Sequence, residues 1–115
     1  MIYNHGFNVC DLVLVPFPFS NLENFKKRPA IIIYKSLKID DVLVIPVTST
    51  SYHIDSEKIT NNDLAYGELD RDSNILYMKM FTISANQIIR KIGTIKRTKI
   101  LSVVGKMKET LDSNI

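Results

Sequence analysis

The sequence predicts a mainly β fold, a strongly bent sheet or small barrel, with one helix near the C-terminus. Short apolar runs separated by turn-forming residues occupy residues 9–95, as in small all-β domains. Apolar residues then recur every three or four positions from residue 100 onward, which is typical of an amphipathic helix. The length of 115 residues suits one compact unit, so we expect residues 1–115 to form a single domain.

Three strands are expected in the first half of the chain. Alternating apolar residues predict the first over Val9–Phe17, and the prolines at its end supply no amide hydrogen for a ladder. The second is Pro29–Lys35. Its β-branched run Ile31–Ile33 has an unbroken hydrophobicity that indicates burial on both faces. The third is Val42–Thr48.

Shorter elements follow before the helix. Lys58–Asn62 is interpreted as a turn-like link, and Asp70–Ser73 as a turn. Near the end of this region, Ile89 and Ile95 are candidates for packing inward. The expected strands are His53–Ile54, Tyr66–Leu69, Asn74–Met80 and one within Gln87–Ile95.

The predicted helix begins near Thr98, whose hydroxyl suits an N-cap. Gly105 lies in its interior and weakens it by about 1 kcal/mol relative to alanine. We therefore expect packing of an apolar stripe, rather than propensity, to hold the helix. That stripe is Ile100, Val103, Val104, Met107 and Leu111.

The net charge of +3 is unevenly distributed along the chain. Residues 1–72 hold seven Lys or Arg and ten Asp or Glu, whereas residues 73–115 hold eight and two. The basic half is expected to be the approach surface for a polyanion or an acidic protein. A solvated, Lys-rich surface is the alternative.

The composition also bears on location. The longest apolar runs have five or six residues, far below the roughly 20 that a membrane helix needs, so no membrane association is expected. The N-terminus lacks a basic patch followed by an apolar run, so no signal peptide is expected. The single cysteine, Cys10, is interpreted as a small core residue that forms no internal disulfide. We therefore expect a cytoplasmic location.

Three consecutive cations, Lys26, Lys27 and Arg28, precede the second strand. Pro29 fixes the entrance of that strand, where the planar Arg28 guanidinium suits two phosphate oxygens. The cluster therefore indicates phosphate binding, with a solubilising turn as the alternative.

A hydroxyl cluster, Thr48–Ser51, ends the third strand. Such hydroxyls donate to a phosphate or a developing oxyanion, or they cap the loose backbone groups of a strand end. His53 follows and suits a general acid or base, although exposed histidines without a role are more common. The sequence has no Gly-x-Ser-x-Gly motif and no His–Cys cluster, which argues against a serine hydrolase and a metal site.

Together these features resemble the MazF/PemK (Kid-like) family of toxins from type II toxin–antitoxin systems. The resemblance runs from about residue 8 to residue 110 and keeps the family's order and spacing. Each segment alone is a weak signal, but the ordered set is specific. The segments are Asp11–Ser20, Lys27–Ile33, Ile45–Ser49, Asn74–Ile83 and Ile88–Ile95.

The resemblance implies an SH3-like small barrel with a C-terminal helix (CcdB/Kid/MazF-like), acting as a homodimer. It also implies a metal-independent endoribonuclease, without cofactors, that cleaves single-stranded RNA by attack of the 2′-hydroxyl. A cognate acidic antitoxin would neutralise it, and DNA would be met only indirectly through that antitoxin. The family's arginine and threonine fall on Arg28 and Thr48, which we expect to be catalytic. RNA binding is assigned to Lys26, Lys27, Ser49, Ser20, Asn21 and Lys79, and the proton-acceptor candidates are His53 and Glu23.

The chain departs from the family pattern at two places. Cys10 stands where a glycine usually precedes the first aspartate. Met78 and Lys79 stand where many members carry an acidic residue and a glutamine, so no role of that acid transfers to this chain. Two alternatives therefore stay open. One is a catalytically inactive RNA-binding relative, and the other is a toxin with a protein target, since the gyrase-poisoning toxin CcdB shares this general fold.

Overall fold

The computed structural model describes residues 5–16, 27–51 and 54–115. These residues form strands and one long helix, α1, over Arg97–Asp112. Short 3-10 turns occur at Asn61–Asp63 and Ala85–Gln87. The strands, in chain order, are β1 Asp11–Pro16, β2 Lys27–Lys35, β3 Asp41–Thr48, β4 Glu57–Ile59, β5 Leu64–Gly67, β6 Ser73–Ile75, β7 Phe81–Ser84 and β8 Arg90–Ile95.

The strands form one curled antiparallel sheet, a half-barrel, in the order β4-β6-β3-β2-β1-β8-β5, with β7 also paired to β3. Bulges interrupt the β1–β8, β2–β3 and β5–β8 ladders, and such irregularities increase the local bend of a sheet. The prediction of a mainly β fold with a C-terminal helix is therefore confirmed.

The central strands are buried on both faces. One apolar cluster lies between the sheet and α1 and includes Ile31, Ile100 and Val103. A second cluster, on the opposite face, includes Val13 and Ile32. Ile31 and Ile32 are fully buried in different clusters, which confirms the predicted two-sided burial of β2.

A buried carboxylate fastens α1 to the edge of the sheet. Glu57 of β4 accepts contacts from Lys99 Nζ at 2.8 Å and Lys106 Nζ at 3.0 Å, and Ser102 Oγ donates to it at 3.0 Å. Burial alone would raise the pKa of Glu57, but the three donors outweigh it and hold that pKa below its ordinary value. Lys99 also donates to the Lys58 carbonyl at 2.6 Å, so the helix is attached to both side chain and backbone of β4.

The structure corrects several expected boundaries. The expected turn-like link Lys58–Asn62 is wrong at its start, because Lys58 and Ile59 belong to β4, whose buried Glu57 is paired with cations from the distant helix. The expected strand Asn74–Met80 is wrong beyond Ile75. Leu76 and Tyr77 are buried inside the connection to β7, so their hydrophobicity reflects packing of that connection. The expected Tyr66–Leu69 strand lies two residues earlier, at Leu64–Gly67.

Single residues were also placed wrongly by the sequence patterns. Ile89 is exposed and its neighbour Ile88 is buried, whereas Ile95 is buried as expected. Thr98 is not the N-cap of α1. The helix follows Lys96, whose amide donates to the Asp63 carbonyl at 2.8 Å. Leu111 is exposed, although the rest of the apolar stripe is at least half-buried.

Two further expected strands, Val9–Phe17 and His53–Ile54, also differ from the structure. The expected first strand Val9–Phe17 begins at Asp11, since Cys10 turns the chain, and Phe17 lies outside the described residues. Cys10 is half-buried against the first cluster rather than lying in a strand. In the expected strand His53–Ile54, Ile54 lies in an exposed bend, and His53 lies outside the described residues.

Candidate active site

A groove of about 840 Å³ crosses the region where β2 begins and β3 ends. Consecutive residues line it in both strands, whereas one face of a regular strand presents only alternate residues. The groove therefore passes over the strand ends, where both faces are accessible. Its lining consists of residues 27–29, 47–50 and 67–71, with Leu14, Ser73, Arg90 and Ile92.

The groove brings together Arg28 and Thr48, the two residues expected to be catalytic. Ala30 faces Pro46 in the antiparallel β2–β3 ladder. The ladder ends at this pair, so Arg28 and Thr48 lie two residues beyond it on neighbouring strands, and both line the groove. Both residues are half-buried.

Thr48 is held by the turn that follows it. Its Oγ1 accepts a hydrogen bond from the Thr50 amide at 3.2 Å, and Asn74, its ladder partner, donates from Nδ2 to the Thr50 carbonyl at 3.1 Å. The hydroxyl therefore caps the strand end, as one of the two interpretations of this cluster predicted. Because the oxygen is used as an acceptor, its own hydrogen stays available to donate.

The cations at the β2 entrance are held by pairing with β1. Arg28 lies opposite Val15 and Lys27 opposite Pro16 in that ladder. Pro29 follows directly and faces Leu14, which also lines the groove. The strand entrance therefore presents a guanidinium and an ammonium group beside the Thr48 hydroxyl, which suits an anionic ligand.

Four charged groups of the groove escaped the sequence patterns. Arg90 reaches it because β8 pairs with β1, where Arg90 lies opposite Leu14. Glu68, Asp70 and Arg71 belong to the connection between β5 and β6, where the sequence patterns placed Glu68 in the expected strand Tyr66–Leu69 and the other two in a turn. With Lys27 and Arg28, the lining carries four cations and two carboxylates, so the groove is net positive.

The other expected RNA-binding positions are distributed differently. Ser49 lines the groove next to Thr48. Lys79 is exposed in the connection between β6 and β7, and it is not part of the lining. The remaining expected site residues lie outside the described residues. They are Ser20, Asn21, Glu23, Lys26 and His53.

Within residues 5–16, 27–51 and 54–115, no group of three or more His, Cys, Asp or Glu side chains is placed to hold a metal ion. Within them, too, no helix is long and apolar enough to cross a membrane.

Three solved structures show the same fold. The toxin MazF-mt6 from Mycobacterium tuberculosis superposes with a TM-score of 0.69 at 17% identity, over 89% of this chain and 96% of that chain. MazF from Deinococcus radiodurans gives 0.66 at 14% identity, over 95% and 99%. An endoribonuclease in complex with its cognate antitoxin, from a mycobacterial species, gives 0.62 at 9% identity, over 96% and 93%. The fold implied by the resemblance is therefore confirmed.

No curated protein matches the sequence. The model of one family, described as PemK-like, MazF-like toxins of type II toxin–antitoxin systems, matches residues 8–111. This match covers nearly the whole chain, and it confirms the resemblance seen in the strand segments. The chain therefore belongs to the PemK-like, MazF-like family of type II toxins.

Proposed function

We propose that this toxin is a metal-independent endoribonuclease that cleaves single-stranded RNA in the groove at the β2 entrance. The observation that carries the proposal is the convergence of Arg28 and Thr48 in one net-positive groove. Membership of the family and the fold of a neighbour named as an endoribonuclease support it. A cationic groove attracts a phosphodiester backbone, and single-stranded RNA exposes the bases from which a protein reads sequence.

The proposed reaction uses the RNA's own 2′-hydroxyl. The 2′-oxygen forms a bond to the adjacent phosphorus, and the bond from phosphorus to the 5′-oxygen breaks. The proton of the 2′-hydroxyl passes to a basic group, and the departing 5′-oxygen takes up a proton. The products are a 2′,3′-cyclic phosphate and a free 5′-hydroxyl.

Arg28 and Thr48 act on the phosphoryl oxygens in this proposal. The Arg28 guanidinium donates two parallel hydrogen bonds and neutralises the charge that grows on those oxygens. The Thr48 hydroxyl donates one more, because its oxygen already accepts from Thr50 and the hydrogen is directed elsewhere. Arginine stays protonated, so it does not take the 2′-proton. His53 and Glu23 stay the predicted acceptors.

The activity is tested by incubating the purified protein with a long single-stranded RNA in the presence of EDTA. We expect discrete cuts that survive EDTA, with 5′-hydroxyl ends mapped by sequencing. Binding without cleavage would identify a catalytically inactive relative. Absence of both, with inhibition of DNA supercoiling by gyrase, would identify a toxin with a protein target.

The roles of the two residues are tested by substitution. Arg28→Ala and Thr48→Val should each slow cleavage by about 100- to 1,000-fold, the usual effect of losing one transition-state donor. Thr48→Ser keeps the hydroxyl and should retain most of the rate. Arg97→Ala removes the same charge from α1, outside the groove, and is the control. If Arg28→Ala keeps its circular dichroism spectrum and cleaves at the parent rate, the assignment is wrong.

Two partners belong to the same proposal. We propose a cognate acidic antitoxin, because the groove is net positive and one structural neighbour is a complex with its antitoxin. A small acidic protein encoded immediately upstream should abolish cleavage when added in equal amount. We also propose a homodimer, and light scattering should then give twice the 13.2 kDa of one chain.

A further inference from the structure

The connection between β5 and β6 places two carboxylates in a groove that otherwise carries cations. Glu68 and Asp70 both line it, and both side chains are exposed. Neither makes an ion pair or a side-chain hydrogen bond with any residue that the structure describes. A groove that served only to bind phosphate would be weakened by two negative charges, because they repel the RNA backbone. We therefore expect Glu68 and Asp70 to contact a group of the ligand that donates hydrogen bonds.

The two carboxylates are fixed by the residue between them. The Leu69 amide donates to Asn61 Oδ1 at 2.7 Å, and Asn61 Nδ2 donates back to the Leu69 carbonyl at 3.3 Å. The Leu69 side chain is buried in the core. Since Leu69 points inward, its two neighbours point outward together. Asn61 is therefore a positioning residue for Glu68 and Asp70.

The far end of the connection is also held. Ser73 Oγ donates to the Arg71 carbonyl at 3.0 Å, so the chain turns tightly before β6. At the near end, Gly67 has a φ of 81°, and a Cβ there would fall against the Ile92 carbonyl oxygen. Anchors on both sides make this connection a rigid wall of the groove.

Single-stranded RNA offers such a wall two kinds of donor: the ribose 2′-hydroxyls, which are the same on every nucleotide, and the N–H groups of the bases, which differ between bases. An ionised carboxylate only accepts hydrogen bonds. Cytosine, adenine and guanine present exocyclic amino groups, whereas uracil presents two carbonyl oxygens beside one N–H. We propose that Glu68 and Asp70 read the base edges of bound RNA and select bases with an exocyclic amino group over uracil. This inference rests on the proposed function, and it adds the base class that the groove accepts.

The experiment measures binding apart from cleavage. Fluorescence anisotropy is recorded with 2′-O-methyl oligonucleotides of about ten nucleotides, made only of A, only of C or only of U. These probes lack the attacking hydroxyl and stay intact. We expect the parent protein to bind the A or C probe at least about tenfold more tightly than the U probe, as one good carboxylate–amino contact provides.

The matched variants are Glu68→Gln, Asp70→Asn and their combination. An amide both donates and accepts, so the preference over uracil should fall to about twofold in the double variant. Binding of the U probe should become tighter, because a repulsive charge has left the groove. A merely structural role would instead weaken binding of every probe. Glu109→Gln, which removes an exposed charge from α1, should change neither quantity.

The outcomes separate this inference from the proposed function. If the parent binds all three probes equally or prefers the U probe, or if the double variant keeps the parent's preference, the base-reading role is overturned while RNA binding stands. If the parent binds none of the probes and cleaves no RNA, the proposed function fails and this inference fails with it.

Discussion

Cys10 holds a backbone conformation that few residues other than glycine adopt. Its φ is 79°, in the left-handed region. The chain fixes it there, because the Cys10 amide donates to the Ile32 carbonyl and its own carbonyl accepts from the Ile95 amide, both at 2.9 Å. Burial raises the pKa of the Cys10 thiol, and the neighbouring Asp11 charge adds to that shift, so the thiol stays protonated at neutral pH. Cys10 is therefore a structural residue under local strain.

This strain predicts an unusual order of stability. Cys10→Gly should be more stable than Cys10→Ala by about 1 kcal/mol, since both lose the sulfur but only glycine relieves the left-handed strain. At position 105 we expect the opposite order, with alanine more stable than glycine. It lies inside α1, where an added Cβ meets nothing within 4 Å. Gly105→Ala should therefore raise the free energy of unfolding by about 1 kcal/mol. Urea unfolding of the three variants measures both effects, and equal stability of the two Cys10 variants would contradict the first.

The catalytic candidates and the groove carboxylates differ in how visible they are in the sequence. Arg28 and Thr48 each flank an apolar run and carry a side chain suited to phosphate, so local patterns make them binding candidates, whereas their expected catalytic roles come from the family resemblance. No local pattern indicates a site at Glu68 and Asp70, because one lies in an expected strand and the other in an expected turn. Only the β5–β8 and β8–β1 pairings, which join residues far apart in sequence, place that turn beside the β2 entrance.

Strand β4 was likewise not predictable from its local sequence, because it depends on contacts with a distant part of the chain. The sequence predicted a link over Lys58–Asn62, yet residues 57–59 alternate between buried and exposed as a strand requires. The burial of Glu57 depends on Lys99 and Lys106, more than forty residues away. Helix α1 was predictable, by contrast, because its apolar stripe is periodic within a single segment.

The contacts of Glu57 predict a pH-dependent attachment of α1. Its pKa is lowered in the folded protein, so ionised Glu57 stabilises the fold above its ordinary pKa of 4.5. That stabilisation is lost as the pH falls through the lowered value. Glu57→Gln should lower the free energy of unfolding by about 2–3 kcal/mol at neutral pH, because Lys106 loses its carboxylate and Lys99 keeps only the longer contact with Asp63, at 3.5 Å. The difference from the parent should shrink on acidification.

Urea unfolding of the parent and Glu57→Gln at neutral pH and below pH 4.5 measures this dependence. Glu109→Gln changes an exposed carboxylate on the same helix and should stay within about 0.5 kcal/mol of the parent. A Glu57→Gln deficit that is the same at both pH values would show that the carboxylate acts through packing rather than through its charge.

In the folded protein, lysines of the basic half of the chain form ion pairs with carboxylates of the acidic half. Lys91 of the basic half lies 3.1 Å from Asp11 of the acidic half. Lys99 and Lys106, also from the basic half, both contact Glu57. The long basic stretch therefore supplies cations that pair with the buried carboxylates of Asp11 and Glu57. The groove draws its own cations from both halves, so its charge does not follow from either half alone.

This distribution leads to a prediction about salt. Each RNA phosphate that is neutralised contributes about −0.7 to the slope of log affinity against log salt concentration. If the four groove cations make the contacts, the slope should be about −3 for a short single strand. Arg90→Gln removes one of them and should flatten the slope by about 0.7. Lys108→Gln removes an exposed cation of the same basic half, outside the groove lining, and should leave the slope unchanged. Equal flattening by both variants would instead show that the basic half as a whole, rather than the groove, holds the RNA.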